Sequence, residues 1–497
     1  MPVIPQNQAE PPLILTLDIG SSSTRALLFD RQGRAVADSE TRLTHTLQTT
    51  PDGGVEEDPT VVLGRVIRCI DGVPAAVGPL AEQIGAVALA TYVSNLLGIS
   101  VDGRPLTPIY LYADTRNAAD AAALRAQLDE AAILERTGCP LRSSYLPARL
   151  RWLQRTQPEI VRQVWRWVSL GEYLLLQFAG ELRVSLSVAS WSGLLDRHTL
   201  QWDAALLTEL GLDANRFAPL VDRDAPTQGL RTEYARRWPT LARVPWFPAI
   251  GDGAAANVGS GCVTPARVAL TIGTTGALRA ITPTVAQVPW GLWCYRLDRR
   301  RALLGGATSE GGNVFAWLNR TLRLDDVGDI EQALQAGEPD GHGLTVLPFL
   351  AGERSPGWSE HGGASIIGLK LSSTPVDILR AGLEAVAYRF ALIARLLDAA
   401  LPGEQHFVTS GGALYHSPAW AQLLADVLGQ PLYAAAEQEA TSRGVALPAL
   451  EALGLLPELE KLPLDYAQVY TPNMGYYERY AAAIARQQRL YESLSGF

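Results

Sequence analysis

The chain has 497 residues and a mass of 53.6 kDa, which is long enough for two or three domains. Hydrophobic residues make up 47% of it and charged residues 19%, which excludes a disordered chain and a coiled coil. The net charge of −9 argues against non-specific binding to nucleic acid or to an anionic membrane. Only two of the 42 basic residues are lysines, Lys370 and Lys461, and neither lies in the Gly-Lys-Ser/Thr run of a Walker A site.

The four cysteines lie far apart and form no Cys-x-x-Cys pair, so we expect buried thiols rather than disulfides or a zinc site. The first 12 residues lack the charged and apolar regions of a signal peptide. No run of about 18 uncharged apolar residues occurs, so no transmembrane helix is expected. We therefore expect a cytoplasmic protein. The cysteines are Cys69, Cys139, Cys262 and Cys294.

The first predicted element is a β-hairpin over residues 13–30. An apolar, β-prone run enters the turn Gly20-Ser21-Ser22-Ser23, and a second apolar run leaves it. Such a turn exposes backbone N–H groups and hydroxyls, which suits phosphate oxygens. Arg25 follows the turn and offers a positive charge, and Asp18 precedes it and is able to hold Mg²⁺ through water. An ordinary hairpin with a polar tip is the alternative.

A second hairpin with the same plan is predicted over residues 268–281. Its turn begins with Gly273 and Thr274, and Gly273 follows Gly20 by 253 residues, about half the chain. Two domains of related fold, each opening near such a hairpin, explain this spacing. Two turns of this kind from two domains are able to hold one polyphosphate from opposite sides.

Asp252 stands between Gly251 and Gly253, directly before an alanine run that is typical of a helix start. The flanking glycines leave its carboxylate unobstructed. Because negative charge at a helix N-terminus is locally stabilising, a capping role is the alternative. The two prolines in residues 244–251 indicate a domain boundary.

A Gly411-Gly412 turn lies between a predicted strand and a predicted helix, with His416 close behind it. A Gly-Gly turn allows a flat ring to approach the backbone closely, although a simple strand–turn–helix joint explains it equally well. Other predicted helices cover residues 114–138, 148–167, 376–400, 418–428 and 439–453. An amphipathic helix is predicted over residues 476–494.

Taken in order, these motifs resemble those of the FGGY carbohydrate kinases, a branch of the actin-like ATPase superfamily. The resemblance runs from about residue 13 to about residue 455. The first hairpin resembles the first phosphate motif of the family and the second hairpin resembles the second. Residues 410–413 resemble the adenosine motif, and Gly251-Asp252-Gly253 resembles the segment with the catalytic base. Further similar segments are residues 110–116, 137–140 and 352–356.

The resemblance implies an α/β fold with two ribonuclease H-like domains and an active-site cleft between them. Residues 13–249 would form the N-terminal domain, 250–455 the C-terminal domain and 456–497 a helical extension. The implied reaction is ATP-dependent phosphorylation of a sugar or polyol hydroxyl, with Asp252 as the general base and Asp18 as the Mg²⁺ ligand. The residues implied for ATP are Ser21, Ser22, Ser23, Arg25, Gly273, Thr274, Gly312, Gly411, Gly412 and His416.

Departures from the family patterns concern both substrates. Ala316 stands where glycerol kinases have an amide side chain near the adenine, and His416 stands where they have Asn. Residues 92–95 replace the Gln-Met-His-Gly of typical pentulose kinases, and an aromatic residue other than Trp begins the Trp-x-Asp-x-Arg stretch. The implied sugar-binding residues are Tyr92, Ser94, Asn95, Tyr112, Ser144, Tyr145 and Asp252.

Residues 112–116 and 171–196 are most similar to the gluconate-kinase branch, so the sequence favours D-gluconate. The carboxylate of gluconate needs cationic or N–H donors, which Arg142 and Arg149 would supply unless both are structural. The alternative is a xylulose or ribulose kinase, in which Tyr92, Ser94 and Asn95 bind a neutral ketose. A non-catalytic nucleotide-binding or sugar-binding protein of the same fold is a further alternative. A homodimer is left open, and no nucleic-acid or membrane partner is expected.

Overall fold

The computed structural model describes residues 3–324, 328–359, 363–437 and 439–494. The chain divides into two compact units. Unit 1 contains Met1–Gly261, Cys294–Leu303 and Glu439–Pro463, and unit 2 contains Cys262–Trp293, Leu304–Gln438 and Leu464–Phe497. These units differ from the predicted domain ranges, because Asp252 and residues 439–463 belong to unit 1.

Strands are most abundant in two seven-stranded sheets, and the remaining strands are short. In chain order the strands are β1 (Leu13–Ile19), β2 (Ser23–Phe29), β3 (Thr41–Thr44), β4 (Gln48–Thr49), β5 (Val55–Glu57), β6 (Ile84–Thr91), β7 (Leu97–Ile99), β8 (Ile109–Tyr110), β9 (Arg166–Val168), β10 (Val184–Ser185), β11 (Leu195–Asp196), β12 (Gln201–Trp202), β13 (Leu220–Val221), β14 (Thr227–Gln228), β15 (Pro245–Trp246), β16 (Ile250–Gly251), β17 (Arg267–Ile272), β18 (Gly276–Thr282), β19 (Trp293–Arg296), β20 (Ala302–Thr308), β21 (Thr345–Leu347), β22 (Ser365–Ile367), β23 (His406–Ser410), β24 (Leu432–Ala435) and β25 (Tyr466–Tyr470).

The helices range from one turn to 26 residues in length. In chain order they are α1 (Pro59–Val77), α2 (Ala118–Gln127), α3 (Glu130–Thr137), α4 (Leu146–Thr156), α5 (Pro158–Gln163), α6 (Leu170–Ala179), α7 (Leu186–Ser190), α8 (Ala204–Glu209), α9 (Thr232–Arg237), α10 (Asp252–Gly259), α11 (Gly312–Thr321), α12 (Ile330–Ala336), α13 (Pro375–Ala400), α14 (Gly412–Tyr415), α15 (Pro418–Leu428), α16 (Ala440–Ala452) and α17 (Met474–Leu494). Among the described residues, no helix has both the length and the apolar composition needed to cross a bilayer.

The sheet of unit 1 has the strand order β14-β15-β6-β1-β2-β3, with β16 also paired to β6. β1 is antiparallel to β2 and parallel to β6. All seven residues of β1 are buried, which explains why this strand is a continuous apolar run interrupted only by Thr16 and Asp18. The predicted hairpin over residues 13–30 is therefore confirmed.

The second large sheet has the order β19-β20-β18-β17-β23-β24-β25, and most of its residues lie in unit 2. β17 is antiparallel to β18 and parallel to β23, so it has the same two kinds of neighbour as β1 has. The predicted second hairpin is confirmed, and so is the related fold of the two halves. Each half is a ribonuclease H-like α/β unit of the actin-like ATPase type.

Several helix ends follow from side-chain capping. Asp58 accepts hydrogen bonds from the first backbone N–H groups of α1, and Thr374 and Asp377 form a capping box at the start of α13. The predicted helix over residues 114–138 is two helices, because Asp129 caps the start of α3 by accepting a hydrogen bond from the N–H of Ala132. The helix predicted for residues 376–400 corresponds to α13.

The segment predicted as a helical extension is only partly helical. α17 is present, as predicted from its amphipathic pattern. Before it, β25 pairs antiparallel with β24 and forms the edge of the second sheet. The last part of the chain therefore completes a sheet with β25 and packs α17 against α13, α15 and β21.

Candidate active site

Asp18 and Asp252 emerge at the same edge of the unit 1 sheet. Asp18 on β1 is paired with Ala90 on β6, and Ala90 is paired with Ile250 on β16. Because these three strands are parallel, their carboxyl ends meet at one edge, where α/β proteins commonly bind ligands. Asp252 follows β16 after a single glycine and is the first residue of α10.

The electrostatics of Asp18 show how close these groups are. Burial raises the pKa of Asp18 to about 6, Arg25 opposes that rise, and the charge of Asp252 adds to it. The Nε atom of Arg25 lies 3.4 Å from a carboxylate oxygen of Asp18. Arg42, paired opposite Arg25 on β3, also lowers the pKa of Asp18. The two carboxylates near this edge favour binding of a metal cation.

The first turn presents its serines unequally. The N–H of Gly20 donates to the carbonyl of Ser23 at 2.9 Å, which closes the turn. Ser22 is exposed and Ser21 is half-buried, whereas Ser23 is the first residue of β2 and is buried. Of the three serines predicted to contact phosphates, Ser21 and Ser22 are thus the accessible ones.

Asp252 is held by a short helix with a tightly packed start. The hydroxyl of Ser187 accepts a hydrogen bond from the N–H of Gly251 at 3.2 Å. Asp252 itself accepts a hydrogen bond from the N–H of Gly253 at 2.7 Å. A Cβ at Gly251 would lie 2.8 Å from the indole nitrogen of Trp191, so Trp191 packs directly against the residue before the carboxylate.

Three side chains predicted to contact sugar instead form hydrogen bonds with other residues of unit 1. The hydroxyl of Tyr92 donates to Glu57 at 2.8 Å, and Tyr92 is fully buried. The hydroxyl of Ser94 donates to the carbonyl of Trp191 at 2.7 Å. The amide of Asn95 donates to the carbonyl of Tyr92 and accepts from the N–H of Leu170, both at 2.7 Å. These bonds shape the loop after β6.

The other predicted sugar residues lie on two segments. Tyr112 is 39% exposed, and Ser144 is half-buried. Tyr145 is buried, and its hydroxyl shares a 2.6 Å hydrogen bond with the hydroxyl of Tyr295. The ring of Tyr295 stacks on Trp191 with centroids 3.8 Å apart. Tyr145, Tyr295 and Trp191 therefore form a continuous aromatic wall that ends beside Gly251.

The side chain of Arg149 connects the segment that contains Tyr112 with the segment that contains Ser144. Its Nη2 atom donates to the carbonyls of Asp114 and Ser143, at 3.0 and 3.3 Å. Its Nε and Nη1 atoms are buried and have no hydrogen-bond partner within the described ranges. Burial lowers the pKa of Arg149 to about 10, so it remains a cation at neutral pH. Arg142, the other predicted cation, forms an ion pair with Glu130.

In unit 2 the second turn is bound by the start of a helix. The N–H of Gly273 donates to the carbonyl of Thr275. The N–H groups of Gly312 and Asn313 donate to the carbonyls of Gly273 and Thr274, at 2.8 and 3.1 Å. The first turn of α11 is therefore fixed on the hairpin, and Thr274 remains exposed.

A cavity of about 790 Å³ opens beside this turn and is confined to residues of unit 2. Five of the six unit 2 residues predicted for the nucleotide line it: Gly273, Thr274, Gly312, Gly412 and His416. Gly411 lies behind the lining with a φ of 106°, and a Cβ there would lie 2.4 Å from the carbonyl oxygen of Ile272. Glycine is therefore needed at position 411 for this close approach, whereas a Cβ at Gly412 would meet no atom within 4 Å.

The cavity also has aromatic and charged walls that sequence patterns did not indicate. Phe315, Trp317 and Trp420 supply flat apolar surface, and Arg320 and Glu331 supply charge. Glu331 accepts hydrogen bonds from Ser417 and from the N–H of Ala419, so it is engaged with the start of α15. Ala316 also lines the cavity and contributes no polar group to it.

Comparison with known proteins agrees with the fold. The sequence model of the N-terminal domain of the FGGY family of carbohydrate kinases matches residues 13–259, and that of the C-terminal domain matches residues 268–453. The chain belongs to the FGGY family of carbohydrate kinases. It is an ATP-dependent carbohydrate kinase, as the sequence motifs predicted.

Its relatives include kinases named for different acceptors. A gluconokinase of Bacillus subtilis (strain 168) is 25% identical over 459 residues, which cover 90% of this chain and 89% of that protein. A xylulose kinase of Escherichia coli (strain K12) is 27% identical over 496 residues, covering 97% and 99%. The crystal structure of gluconate kinase from Lactobacillus acidophilus superposes with a TM-score of 0.90 at 25% identity, covering 97% and 98%.

Proposed function

We propose that this kinase transfers the γ-phosphoryl group of ATP to a hydroxyl of D-gluconate. The observation that carries this choice is a pair of buried nitrogens of Arg149, Nε and Nη1, that have no hydrogen-bond partner among the described residues. Buried unpaired donors on a cation are costly, and a carboxylate is the acceptor that satisfies them best. The side chain of Arg149 is fully enclosed, so this role requires the segments around it to move when gluconate binds. Gluconate has a carboxylate and the neutral sugars do not. The gluconokinase of Bacillus subtilis and the gluconate kinase from Lactobacillus acidophilus support the same choice.

A xylulose or ribulose kinase is the second candidate, favoured by the similarity to the xylulose kinase of Escherichia coli. That interpretation assigned Tyr92, Ser94 and Asn95 to hydrogen bonds with a ketose. Their polar atoms bind Glu57 and the backbone instead. A neutral ketose would have to break those bonds or use other groups, which makes this candidate the weaker one.

In the proposed reaction Asp252 is the general base. The acceptor oxygen attacks the γ-phosphorus, its proton passes to the carboxylate of Asp252, and the bond to the β,γ-bridging oxygen breaks to release ADP. Arg25, Ser21 and Ser22 bind phosphate oxygens from unit 1. The cavity of unit 2 holds the nucleoside, with Gly273 and Thr274 at its phosphate end.

A magnesium ion fits the carboxylates of unit 1. The charge of Asp252 contributes to the raised pKa of Asp18 at one sheet edge, and carboxylate oxygens are ligands that Mg²⁺ prefers. Asp18 is the residue that would hold it, directly or through water, with Asp252 beside it. When bound, Mg²⁺ supplies positive charge that neutralises the phosphate oxygens.

The test is an assay of ADP release with D-gluconate, D-xylulose, D-ribulose, L-ribulose and glycerol as acceptors, against a control without sugar. We expect the highest kcat/KM with D-gluconate. A preference of more than about tenfold for any neutral sugar would overturn the assignment of gluconate, because it corresponds to about 1.4 kcal/mol of transition-state binding in the wrong direction. Mass analysis of the product verifies that a phosphoryl group has been added.

A further inference from the structure

The start of α16 reaches the first hairpin through an ion pair. Glu439 is the residue before α16, and its carboxylate pairs with the Nη1 atom of Arg25 on β2. The side chains of Arg25 and Glu439 are only 17% and 27% exposed, so solvent screens this pair less than a surface pair. The two residues are 414 positions apart in the sequence.

The helix that begins after Glu439 is fixed in place. A Cβ at Gly259 would lie 1.8 Å from the carbonyl oxygen of Ala440, and a Cβ at Gly444 would lie 1.7 Å from that of Ala255. These glycines allow α16 and α10 to pack backbone against backbone. Arg443 adds a 2.7 Å hydrogen bond to the carbonyl of Gly259. Glu439 is thus anchored to the same helix, α10, that begins with Asp252.

Arg25 faces two carboxylates, and they compete for it. One is Asp18, whose oxygen lies 3.4 Å from Nε, and the other is Glu439. An arginine has several rotatable bonds, so a guanidinium released by Glu439 would settle on Asp18, which is nearly buried. That would neutralise Asp18 and turn the guanidinium away from solvent.

We propose that Glu439 is a positioning residue that holds the Arg25 guanidinium in place for phosphate oxygens and keeps it from closing onto Asp18. Glu439 acts through Arg25 and does not touch the nucleotide. This inference rests on the proposed role of Arg25 in phosphate binding. A role confined to the charge at the N-terminus of α16 is the structural alternative.

The test is a double-mutant cycle on ATP affinity, measured by titration with Mg²⁺ and without sugar. Glu439→Gln keeps the shape of the side chain and removes its charge. We expect it to raise the dissociation constant of ATP about tenfold, the scale of one charge-assisted hydrogen bond, and to lower kcat by less than about threefold. In an Arg25→Ala background the same change should alter the dissociation constant less than about twofold.

A matched control lies on the same helix. Glu451 pairs with Arg223 and Arg301 at the other end of α16, so Glu451→Gln removes an ion pair without touching Arg25. It should lower the melting temperature and leave ATP affinity unchanged. Weaker ATP binding in Glu451→Gln, or an equal effect of Glu439→Gln with and without Arg25, would overturn the proposal and support a structural role.

Glu439→Asp provides a second, conservative variant. It keeps the charge and shortens the side chain by one methylene, so it should recover most of the lost affinity. If the Gln variant does not fold, the same cycle is measured with Glu439→Asp and Arg25→Lys. Additive effects of these two changes on the dissociation constant of ATP would overturn the proposal. ATP binding is measured without sugar, so the two proposals are tested separately. If Glu439 and Arg25 are coupled in ATP affinity but no acceptor is phosphorylated, only the proposed function is overturned.

Discussion

The two hairpins share a sequence plan, but only the first has an acidic residue before its turn. In unit 1 the register places Asp18 opposite Arg25, one pair before the turn. At the equivalent position in unit 2, Thr271 lies opposite Ala277. The first hairpin therefore carries an acid–base pair next to its turn. The second has no acidic residue there, and Arg279 on β18 donates to the hydroxyl of Thr271 at 3.2 Å.

The turns also differ in length and support. Ile19 pairs with Thr24 across a four-residue turn, whereas Ile272 pairs with Gly276 across three residues. The second turn is held through its carbonyls by the start of α11. We infer that the two related units have separate tasks: the hairpin of unit 1, which has an acidic residue before its turn, serves phosphoryl transfer, and the hairpin of unit 2, which has none, serves nucleotide binding.

The largest effect should come from the base. Asp252→Asn preserves the shape at the start of α10 and removes the proton acceptor, so turnover should fall about 10²- to 10⁴-fold. ATP affinity and the melting temperature should change little. Steady-state kinetics with a parallel ATP titration measures both. Turnover above about half of the wild-type value would contradict the role of Asp252.

The two hairpins should respond differently to loss of one side chain. Arg25→Ala removes a charged donor and should raise the KM for ATP about 10- to 100-fold, whereas Thr274→Val removes a neutral hydroxyl and should raise it about two- to tenfold. High salt should reduce the first effect more than the second, because it screens the charge of Arg25. Equal effects, or equal salt dependence, would remove the distinction between the hairpins.

The sugar-binding role proposed for Arg149 offers a similar test of charge. Arg149→Met should lower the ratio of kcat/KM for D-gluconate to that for D-xylulose by about tenfold or more, since a charged hydrogen bond is lost only with gluconate. Arg151 lies two residues further along α4 and bonds Gln127, so Arg151→Met is the matched control. A ratio that falls equally in both variants would make Arg149 structural.

The smallest predicted effect concerns pH and compares one buried carboxyl from each unit. Burial raises the pKa of Glu172 in unit 1 and of Glu310 in unit 2 from 4.5 to about 8. Because the folded protein keeps these protons to higher pH than the unfolded chain, the free energy of unfolding should fall as pH rises from about 4.5 to about 8. Glu310→Gln should gain about 1 kcal/mol or more over wild type at pH 8.5.

Denaturant titrations at pH 5.5 and 8.5 measure this difference. Glu404→Gln, at an exposed position of unit 2, is the control and should behave as wild type. A pH dependence that is unchanged in both Glu172→Gln and Glu310→Gln would show that these carboxyls ionise normally.

Local patterns predicted the parts of the fold that neighbours in sequence determine. Both hairpins follow from apolar runs on either side of a polar turn, and Asp252 follows from its flanking glycines. The helices at residues 376–400 and 418–428 were equally clear. The strand β25 was missed because its pairing partner, β24, lies more than 30 residues earlier, so only the tertiary fold explains its conformation.

No local sequence pattern predicted the long-range contacts of the site. Tyr145 and Tyr295 are 150 residues apart, and Arg25 and Glu439 are 414 apart. The sequence also could not show that Tyr92, Ser94 and Asn95 are bound within the protein, since hydrogen-bond partners depend on the completed fold. Glu439 had one weak signal, an acidic residue just before a predicted helix.

The separation of tasks between the units is tested most directly by the dissociation constant of adenosine, which has the base and sugar of ATP but no phosphate. Ala316→Trp should fill part of the unit 2 cavity and weaken adenosine binding about tenfold or more, as expected when a ligand is displaced from an apolar pocket. Arg25→Ala should leave adenosine affinity at the wild-type value. Loss of adenosine binding in Arg25→Ala, or unchanged binding in Ala316→Trp, would contradict the account.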